Sequence, residues 1–371
     1  MAIKTPISTT HLDPEVLANL SNLAKVKAEL ESKLQNQKGA GAAPPPKSTI
    51  IGFEASKSGT VPFSSVFKMK PTRGYPDFPI RVYKKEDWHA SIRDRIPTPT
   101  DTYHFNTSTL TEFMFALNTG GAIMLHGPTG TGKTSLVQEV CARINKPFLR
   151  VACHRHQESD AFLGRPGIVN EGGVSVTKHV HTDTTMAAMY GGMLCLDEAF
   201  RSPILMAVQP LLENPPYLTL QDCEGVSSVL SPDIDKFNIV LTDNTNGTGD
   251  NTGSYIAEAQ DLSTLTRIRT AIYIDYMEQS VEKEMVSKAY PNIVESDVLK
   301  MLSIVSLIRQ AFTKQVIMQV TDIRALLSWA ENFTKIGDFS LAFKLAFYNK
   351  LSAADRNTVQ NIWRQVTGSG L

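Results

Sequence analysis

Residues 127–134 of this chain read Gly-Pro-Thr-Gly-Thr-Gly-Lys-Thr, between an apolar run at residues 122–126 and a segment with the pattern of a helix. In this order of strand, loop and helix, glycines let successive backbone N–H groups surround a phosphate, and the helix N-terminus adds partial positive charge. An ordinary glycine-rich turn is the alternative, but the complete motif in this context favours a P-loop. The predicted binding site for ATP consists of Gly127, Pro128, Thr129, Gly130, Thr131, Gly132, Lys133, Thr134 and Ser135.

Four side chains are candidates for the chemistry of such a site. Lys133 is expected to reach the β- and γ-phosphates, and the Thr134 hydroxyl to bind Mg²⁺. Asp197 and Glu198 end a later apolar run, at residues 191–196. Asp197 is expected to hold Mg²⁺ together with Thr134, while Glu198 orients and polarises the attacking water. The alternative is an acidic pair that caps the helix after it.

From Phe105 onward, helical and strand patterns alternate, which is typical of an α/β fold with a parallel sheet flanked by helices. Two hairpins are expected within residues 168–176 and 217–230. After Met277 the chain has a helical pattern almost to its end, which predicts a C-terminal α-helical lid. Strands are predicted at 122–126, 147–153, 191–198, 237–244 and 270–274, helices at 108–117, 135–145 and 201–212, an α/β nucleotide-binding domain at 101–277 and the lid at 278–371.

The first 100 residues follow a different pattern. Asp13-Pro14 predicts the start of a helix whose apolar residues recur near heptad spacing. This spacing favours a short coiled coil or docking helix, or else a helix that is marginal alone. A linker rich in Gly, Ala and Pro follows at residues 39–46. We therefore predict a helix and linker over residues 1–47 and a poorly defined region, rich in Pro, Gly, Ser and Lys, over residues 48–100.

Composition narrows the classes of function. The chain has 371 residues, of which 42% are hydrophobic, enough for a sizeable core. Lys plus Arg and Asp plus Glu each number 37, so no net positive charge attracts nucleic acid or an anionic membrane. No apolar run approaches the ~20 residues that span a bilayer. The four cysteines lack CxxC spacing, which favours reduced thiols and a cytoplasmic location.

A set of short motifs carries a resemblance to one family. The motifs are Leu196-Asp-Glu-Ala-Phe-Arg-Ser202, Leu218-Thr-Leu-Gln-Asp222, Thr242-Asp-Asn-Thr-Asn-Gly-Thr-Gly249, Gly253-Ser-Tyr255 and Trp329-Ala-Glu-Asn332. With the P-loop and the helical lid, they resemble AAA+ ATPases of the MoxR-like group. The narrower resemblance is to the small AAA+ subunit of aerobic cobaltochelatase, called CobS, and it covers residues 76–368.

The resemblance implies roles for residues outside the P-loop. Arg267 would be the arginine finger that acts on the nucleotide of the neighbouring subunit, with Arg269 as the alternative finger and a surface ion pair as the alternative role. Arg324 would be sensor 2, or else part of a plain salt bridge. Tyr103 and Phe105 would lie beside the adenine.

Asn244, at the end of the predicted strand 237–244, would be sensor 1 and hydrogen-bond the γ-phosphate or the attacking water. Two neighbouring positions depart from the family pattern. Asp243 stands where the family has a small residue, and Ile323 replaces a proline before Arg324.

The resemblance also implies an assembly and a location. In this family the two hairpins face the pore of a hexameric ring of identical subunits. Cobaltochelatase also needs a von Willebrand A-domain partner (CobT-like) and a tetrapyrrole-binding subunit, neither of which is in this chain. The expected location is the cytoplasm. Members of the family also occur in bacteriophages, and for a phage-encoded protein the location would be the host cytoplasm.

The function expected from these observations is an ATP-hydrolysing ring motor that remodels a partner or drives metal insertion. A nucleic-acid motor or loader of the same fold is one alternative, which the zero net charge counts against. A P-loop kinase is another, although it would need neither a finger from a neighbour nor a helical lid of this size. Two His-x-His pairs, His154/His156 and His179/His181, could each chelate a metal from a strand, but exposed histidines of this kind commonly have no ligand.

Overall fold

The computed structural model describes residues 59–101, 103–221, 227–249, 255, 257 and 259–371. The predicted N-terminal helix and linker, residues 1–47, lie outside these ranges, as does Cys223. All of the described residues belong to one compact unit. Within it, buried apolar side chains form two separate clusters, one in the α/β part and one in the C-terminal helices.

The N-terminal segment of the described chain packs on the α/β core through its aromatic residues. Phe63, Phe67, Phe78 and Trp88 are all buried in the α/β cluster. The weak periodicity of this segment gives no sign of this packing, because its aromatic residues are irregularly spaced. Its elements are β1 (Thr60–Pro62), α1 (Phe63–Phe67), β2 (Pro79–Arg81) and α2 (Ala90–Arg93).

The α/β domain is built on a parallel sheet, as the alternating pattern predicts. The sheet has five strands in the order β11-β3-β10-β7-β4. The elements of the domain are α3 (Thr107–Thr119), β3 (Ala122–His126), α4 (Lys133–Arg143), β4 (Phe148–Ala152), α5 (Asp160–Leu163), β5 (Arg165–Glu171), β6 (Val174–Val180), α6 (Asp183–Tyr190), β7 (Gly192–Asp197), β8 (Leu218–Gln221), β9 (Ser227–Leu230), β10 (Phe237–Asp243), α7 (Leu262–Leu265) and β11 (Ile268–Tyr273).

The three central strands, β3, β7 and β10, are nearly continuous apolar runs and are almost wholly buried. Such runs are typical of parallel strands that are covered on both faces. At the sheet edge, β11 alternates between more and less exposed residues. The carboxyl ends of the central strands meet at one level, because Thr242 is paired with Asp197 on one side and with Leu125 on the other.

The two predicted hairpins are present. β5 pairs with β6 and β8 pairs with β9, both antiparallel. The predicted helix at 201–212 is instead two stretches of 3-10 helix, Ala199–Arg201 and Pro203–Leu212. Pro210 lies inside the second stretch, where it has no N–H to donate to the preceding turn and so interrupts a regular helix.

The C-terminal helices form the lid, with a core that includes Trp329, Phe343 and Trp363. The ring centroids of Phe343 and Trp363 are 5.1 Å apart. Among the helices that the structure describes, none is long and apolar enough to cross a membrane. The helices of the lid are α8 (Gln279–Ala289), α9 (Glu295–Thr313), α10 (Ile323–Ile336), α11 (Phe339–Ala346) and α12 (Ala353–Thr367).

Candidate nucleotide-binding and hydrolysis site

The P-loop has a backbone shape that requires glycine. Gly127 and Gly130 have φ angles of 145° and 74°, a region that side chains with a Cβ rarely adopt. A Cβ on Gly127 would also overlap the carbonyl of Ile274, which follows β11. The loop is therefore closely packed against the residue that follows β11, and its glycines give it the backbone shape that lets N–H groups surround an anion.

Lys133 lies at the centre of this loop and is buried. Its Nζ donates to the carbonyl oxygens of Gly127 and Pro128, both at 2.8 Å, and to Asn244 Oδ1 at 3.0 Å. Burial lowers the pKa of Lys133 to about 8, against the opposing effect of nearby carboxylates, of which Asp243 has the largest. The structure thus brings together the predicted phosphate-binding lysine and the predicted sensor 1 side chain.

Asp197 and Thr134 also lie together, as the magnesium prediction requires. The Thr134 hydroxyl donates to Asp197 Oδ1 at 2.6 Å. A hydroxyl and a carboxylate are hard oxygen ligands of the kind that Mg²⁺ prefers. The residues that are present therefore fit an Mg²⁺ ion bound beside a nucleotide.

Two further side chains hold Asp197, and the sequence gives little sign of either. The Thr242 hydroxyl donates to Oδ1, and Arg150 donates to Oδ2 from Nε at 2.9 Å and also from Nη2. Burial alone would raise the pKa of Asp197, but the hydrogen bonds from Thr134, Thr242 and Arg150 lower it below its usual value. The carboxylate is therefore ionised and fixed. A charged residue within the apolar strand β4 is the one local signal for Arg150.

Glu198 has an unusual backbone conformation for its type. Its φ and ψ are 56° and 44°, in the left-handed region, which a residue with a Cβ occupies at an energetic cost. The side chain is 43% exposed, and Oε2 lies 2.7 Å from Nη1 of Arg201. The turn thus directs the carboxylate out of the sheet, where Arg201 holds it.

Asp243, which precedes Asn244 and departs from the family pattern, stabilises the local structure. It is buried, and Oδ2 accepts a hydrogen bond of 2.9 Å from the backbone N–H of Phe200. Oδ1 accepts from the backbone N–H of Thr245 at 2.9 Å and from its hydroxyl at 3.0 Å. Asp243 therefore ties the loop that carries Asn244 to the turn that follows Glu198.

Arg324 begins the lid helix α10, close to the P-loop. Its Nε donates to Asp322 Oδ2 at 2.7 Å, so the salt bridge weighed from the sequence is present. The pair nevertheless lies at the site, because Asp322 contacts Gly130 and the charge of Arg324 helps to lower the pKa of Lys133. The Arg324 side chain is 75% exposed. The geometry is compatible with both the sensor 2 role and the salt bridge.

Arg267 lies at the other end of the sheet from its own P-loop. It directly precedes β11, whose first residue is paired with Ala122 and whose last is paired with His126. These two levels are about 13 Å apart at ~3.3 Å per residue. Arg269 lies near the same end, where its side chain packs over Gly121. Neither arginine can reach the γ-phosphate position of its own subunit.

Tyr103 and Phe105 lie beside the second half of the P-loop helix α4. Their ring centroids are 4.8 Å apart, and the guanidinium of Arg143 lies 5.3 Å from the Phe105 ring centroid. Burial and the nearby Glu139 raise the pKa of Tyr103 well above its usual value. The segment therefore borders the P-loop helix, two turns beyond the phosphate-binding loop.

One histidine pair is at the end of the first hairpin, whereas the other follows Cys153, whose backbone N–H donates to the carbonyl oxygen of Asp197 at 2.8 Å. The rings of His179 and His181 are 4.8 Å apart, whereas His154 and His156 are exposed. In the described part of the chain, no group of three or more His, Cys, Asp or Glu side chains could hold a metal ion. The hairpin exposes apolar residues, with Ile168 80% exposed.

Comparisons with known proteins identify sequence relatives of this chain. Residues 122–258 match the AAA domain of the dynein-related subfamily. The aerobic cobaltochelatase subunit CobS of a Sinorhizobium species is 27% identical over 299 residues, which cover 79% of this chain and 87% of that protein. Protein CbbQ of Hydrogenophilus thermoluteolus is 30% identical over 188 residues, which cover 50% of this chain and 64% of that protein.

A third relative is the denitrification regulatory protein NirQ of Pseudomonas aeruginosa, which is 33% identical over 125 residues, 33% of this chain and 45% of that protein. CobS, CbbQ and NirQ are thus similar to a chain that has this sheet order, a P-loop and an acidic strand end. Together, the matched domain and these relatives support a MoxR-like AAA+ ATPase close to CobS.

Proposed function

We propose that copies of this chain assemble into a ring, a hexamer by family resemblance, that hydrolyses ATP at the contacts between neighbouring subunits. The observation that carries the proposal is the division of the site. Lys133, Asn244 and Asp197 converge at the carboxyl ends of the strands, whereas Arg267 directly precedes β11, at the amino ends of the strands. A finger there can serve only a nucleotide held by another copy.

The residues divide the work as follows. Lys133 and the P-loop N–H groups would hold the phosphates, while Thr134 and Asp197 would hold Mg²⁺, which would supply positive charge beside them. Glu198, once released from Arg201, orients the attacking water and polarises it. Asn244 hydrogen-bonds the γ-phosphate or that water.

Two arginines complete the proposed site. Arg267 of the neighbouring subunit neutralises the charge that develops on the γ-phosphate. Arg324 couples nucleotide binding to the position of the lid, since α10 begins beside the P-loop. Tyr103 and Phe105 border the adenine.

We further propose that hydrolysis drives the remodelling of a partner, or metal insertion, together with a von Willebrand A-domain protein. Similarity to CobS supports this client class, and the exposed apolar hairpin β5–β6 would contact it in the ring pore. ATPase turnover alone, with a purified von Willebrand A-domain protein and with DNA tests the choice. Stimulation by the protein supports the proposal, whereas stimulation by DNA alone would favour a nucleic-acid motor.

The hydrolytic roles are tested by separating binding from turnover. We expect Lys133→Ala to abolish ATP binding, because the lysine holds phosphates. Glu198→Gln should still bind ATP but not hydrolyse it, because the glutamate acts on water. Hydrolysis at the parental rate by Glu198→Gln would remove Glu198 from the mechanism.

The contribution of the neighbour is tested by mixing variants. Arg267→Ala should lower turnover by ~10³-fold or more. Its P-loop is intact, and Lys133→Ala has an intact finger, so mixed rings should recover part of the activity that each variant lacks alone. Full activity in dilute, monomeric Arg267→Ala protein would exclude the trans finger.

A further inference from the structure

Glu213 holds the side chain of Arg267 within its own subunit. Nε of Arg267 donates to Glu213 Oε1, and Nη1 donates to the carbonyl oxygen of Ser263. Glu213 comes one residue after the 3-10 helix Pro203–Leu212. The ion pair therefore joins the end of that helix to the segment that leads into β11.

A second contact from the same helix strengthens this joint. Gln209 Nε2 donates to the Thr264 hydroxyl at 3.1 Å and lies 3.4 Å from the Ser263 hydroxyl. Gln209 and Glu213 therefore both bind the segment from Ser263 to Arg267, and Glu213 binds the guanidinium itself.

The two anchors leave part of the guanidinium available. Arginine has five N–H donors, and Glu213 and Ser263 take one on Nε and one on Nη1. Among the residues that the structure describes, Nη2 has no hydrogen-bond partner. Its two N–H groups and the second one on Nη1 form an end-on fork, the arrangement that binds phosphate oxygens in a bidentate manner. The side chain is 33% exposed, so a neighbouring subunit can reach this fork.

We propose that Glu213 is a positioning residue for hydrolysis in the neighbouring subunit: it fixes Arg267 so that the free end of the guanidinium meets the γ-phosphate held by that subunit. The proposal rests on the proposed function, which makes Arg267 the finger. In this proposal Glu213 itself contacts neither the nucleotide of its own subunit nor that of the neighbouring subunit. Its removal should therefore change turnover and leave nucleotide affinity unaltered.

The test compares substitutions in the full-length ring. Glu213→Ala frees Arg267 to move by an ångström or more, for which we expect roughly 10²-fold slower turnover at an unchanged Kd for a fluorescent ATP analogue. Glu213→Gln keeps a carbonyl oxygen that accepts from Nε and should retain most of the parental rate. Glu295→Ala breaks an exposed ion pair with Lys283 on the lid and is the matched control, with parental turnover expected.

Mixed rings distinguish positioning from a structural role. Glu213→Ala subunits mixed with Lys133→Ala subunits should recover activity, because an intact P-loop then meets an intact finger. Parental turnover by Glu213→Ala would overturn the proposal, as would a weakened Kd or no recovery in rings shown to be mixed by fluorescence transfer. If the alanine variant fails to fold, Glu213→Ser, whose hydroxyl is too short to reach Nε, replaces it under the same criteria.

Arg267→Ala, measured in parallel, separates two kinds of failure. If Arg267→Ala is fully active, the finger assignment itself is wrong. If Arg267→Ala is inactive while Glu213→Ala is fully active, the finger stands and only the positioning role of Glu213 is lost.

Discussion

Asp322 of the lid lies directly against Gly130 of the P-loop, so that a Cβ on the glycine would overlap the aspartate side chain. Asp322 is also the N-cap of α10, where Oδ1 accepts a hydrogen bond of 2.9 Å from the backbone N–H of Ala325. The first turn of the lid helix is therefore seated on the phosphate-binding loop. If a nucleotide displaces the loop, Asp322 and Arg324 beside it must therefore move as well.

Gly130→Ala should push the P-loop and the first turn of α10 apart. Gly132→Ala is a matched control, since Gly132 also has a positive φ, of 85°, but a Cβ there meets nothing within 4 Å. Both variants carry backbone strain of about 1–2 kcal/mol. Only Gly130→Ala adds overpacking, for which we expect a further loss of about 1–3 kcal/mol in the free energy of unfolding, measured in urea. Equal losses for the two variants would contradict the contact with Asp322.

Nucleotide affinity should depend on the charge of Lys133. Its pKa in the free protein is lowered to about 8 by burial, and bound phosphates, as anions, must raise it. Above pH 8, binding therefore takes up a proton, and affinity should fall by up to about tenfold per pH unit. Below pH 8 the lysine is already charged and this dependence disappears.

Titrations of a fluorescent ATP analogue between pH 7 and 9.5 measure this dependence. Lys133→Arg is the control, because arginine keeps its charge throughout the range. His126, next to the P-loop, has its pKa lowered by burial and by Lys133 and does not titrate there. The idea is excluded if the parent and Lys133→Arg lose affinity in parallel above pH 8.

The sequence predicts the fold and the centre of the site well, for physical reasons. Strands β3, β7 and β10 are continuous apolar runs, and such runs can be recognised without knowing their neighbours. The P-loop and the acidic pair Asp197-Glu198 are local motifs at strand ends. Because the carboxyl ends of parallel strands meet at one edge of a sheet, the meeting of Lys133, Asp197 and Asn244 could be predicted.

The contacts that the sequence does not reveal are those that depend on register and on distant loops. Arg150 reaches Asp197 because β4 is aligned with β7, and nothing in residues 148–152 specifies that alignment. Likewise, Glu213 and Arg267 are more than fifty positions apart in the chain. The contact of Asp243 with Phe200 is equally hidden, since Asp243 ends β10 whereas Phe200 follows β7.

Asp243→Asn should destabilise the protein although the two side chains have nearly the same volume. In each of its three hydrogen bonds the Asp243 carboxylate is the acceptor. The donors are the backbone N–H groups of Phe200 and Thr245 and the Thr245 hydroxyl. Asparagine would place its NH₂ group opposite one of these donors and leave it unsatisfied. The expected cost is about 1–3 kcal/mol in the free energy of unfolding.

Asp338→Asn is the matched control for this substitution. Asp338 is the N-cap of α11 and accepts one hydrogen bond, from the N–H of Leu341 at 2.9 Å. Asparagine is as good an N-cap as aspartate, so the expected change is near zero. A denaturant series in which Asp243→Asn is as stable as Asp338→Asn would show that Asp243 is not an acceptor-only site.

Lys146 is a fully buried lysine that joins the N-terminal segment to the sheet. Its Nζ donates to Asn238 Oδ1 and lies 5.2 Å from the Tyr83 ring centroid and 6.0 Å from that of Trp88. Burial lowers the pKa of Lys146 to about 7, although the two aromatic faces favour the charged form. This lysine therefore loses its proton near neutral pH in the folded protein, whereas the unfolded chain keeps it up to its ordinary pKa near 10.5.

The sign of the resulting pH dependence follows from proton counting. Between pH 7 and 10.5 the unfolded chain holds one more proton at this position than the folded protein, so the free energy of unfolding should rise with pH, by at most ~1.4 kcal/mol per unit. Lys146→Met should remove this contribution, and the difference between parent and variant, from denaturant curves at pH 7 to 9.5, measures it. Lys236→Met, which removes a lysine 5.9 Å from the same Trp88 ring centroid, is the control and should keep the parental slope. If Lys146→Met kept it as well, Lys146 would remain charged in its aromatic site throughout this range.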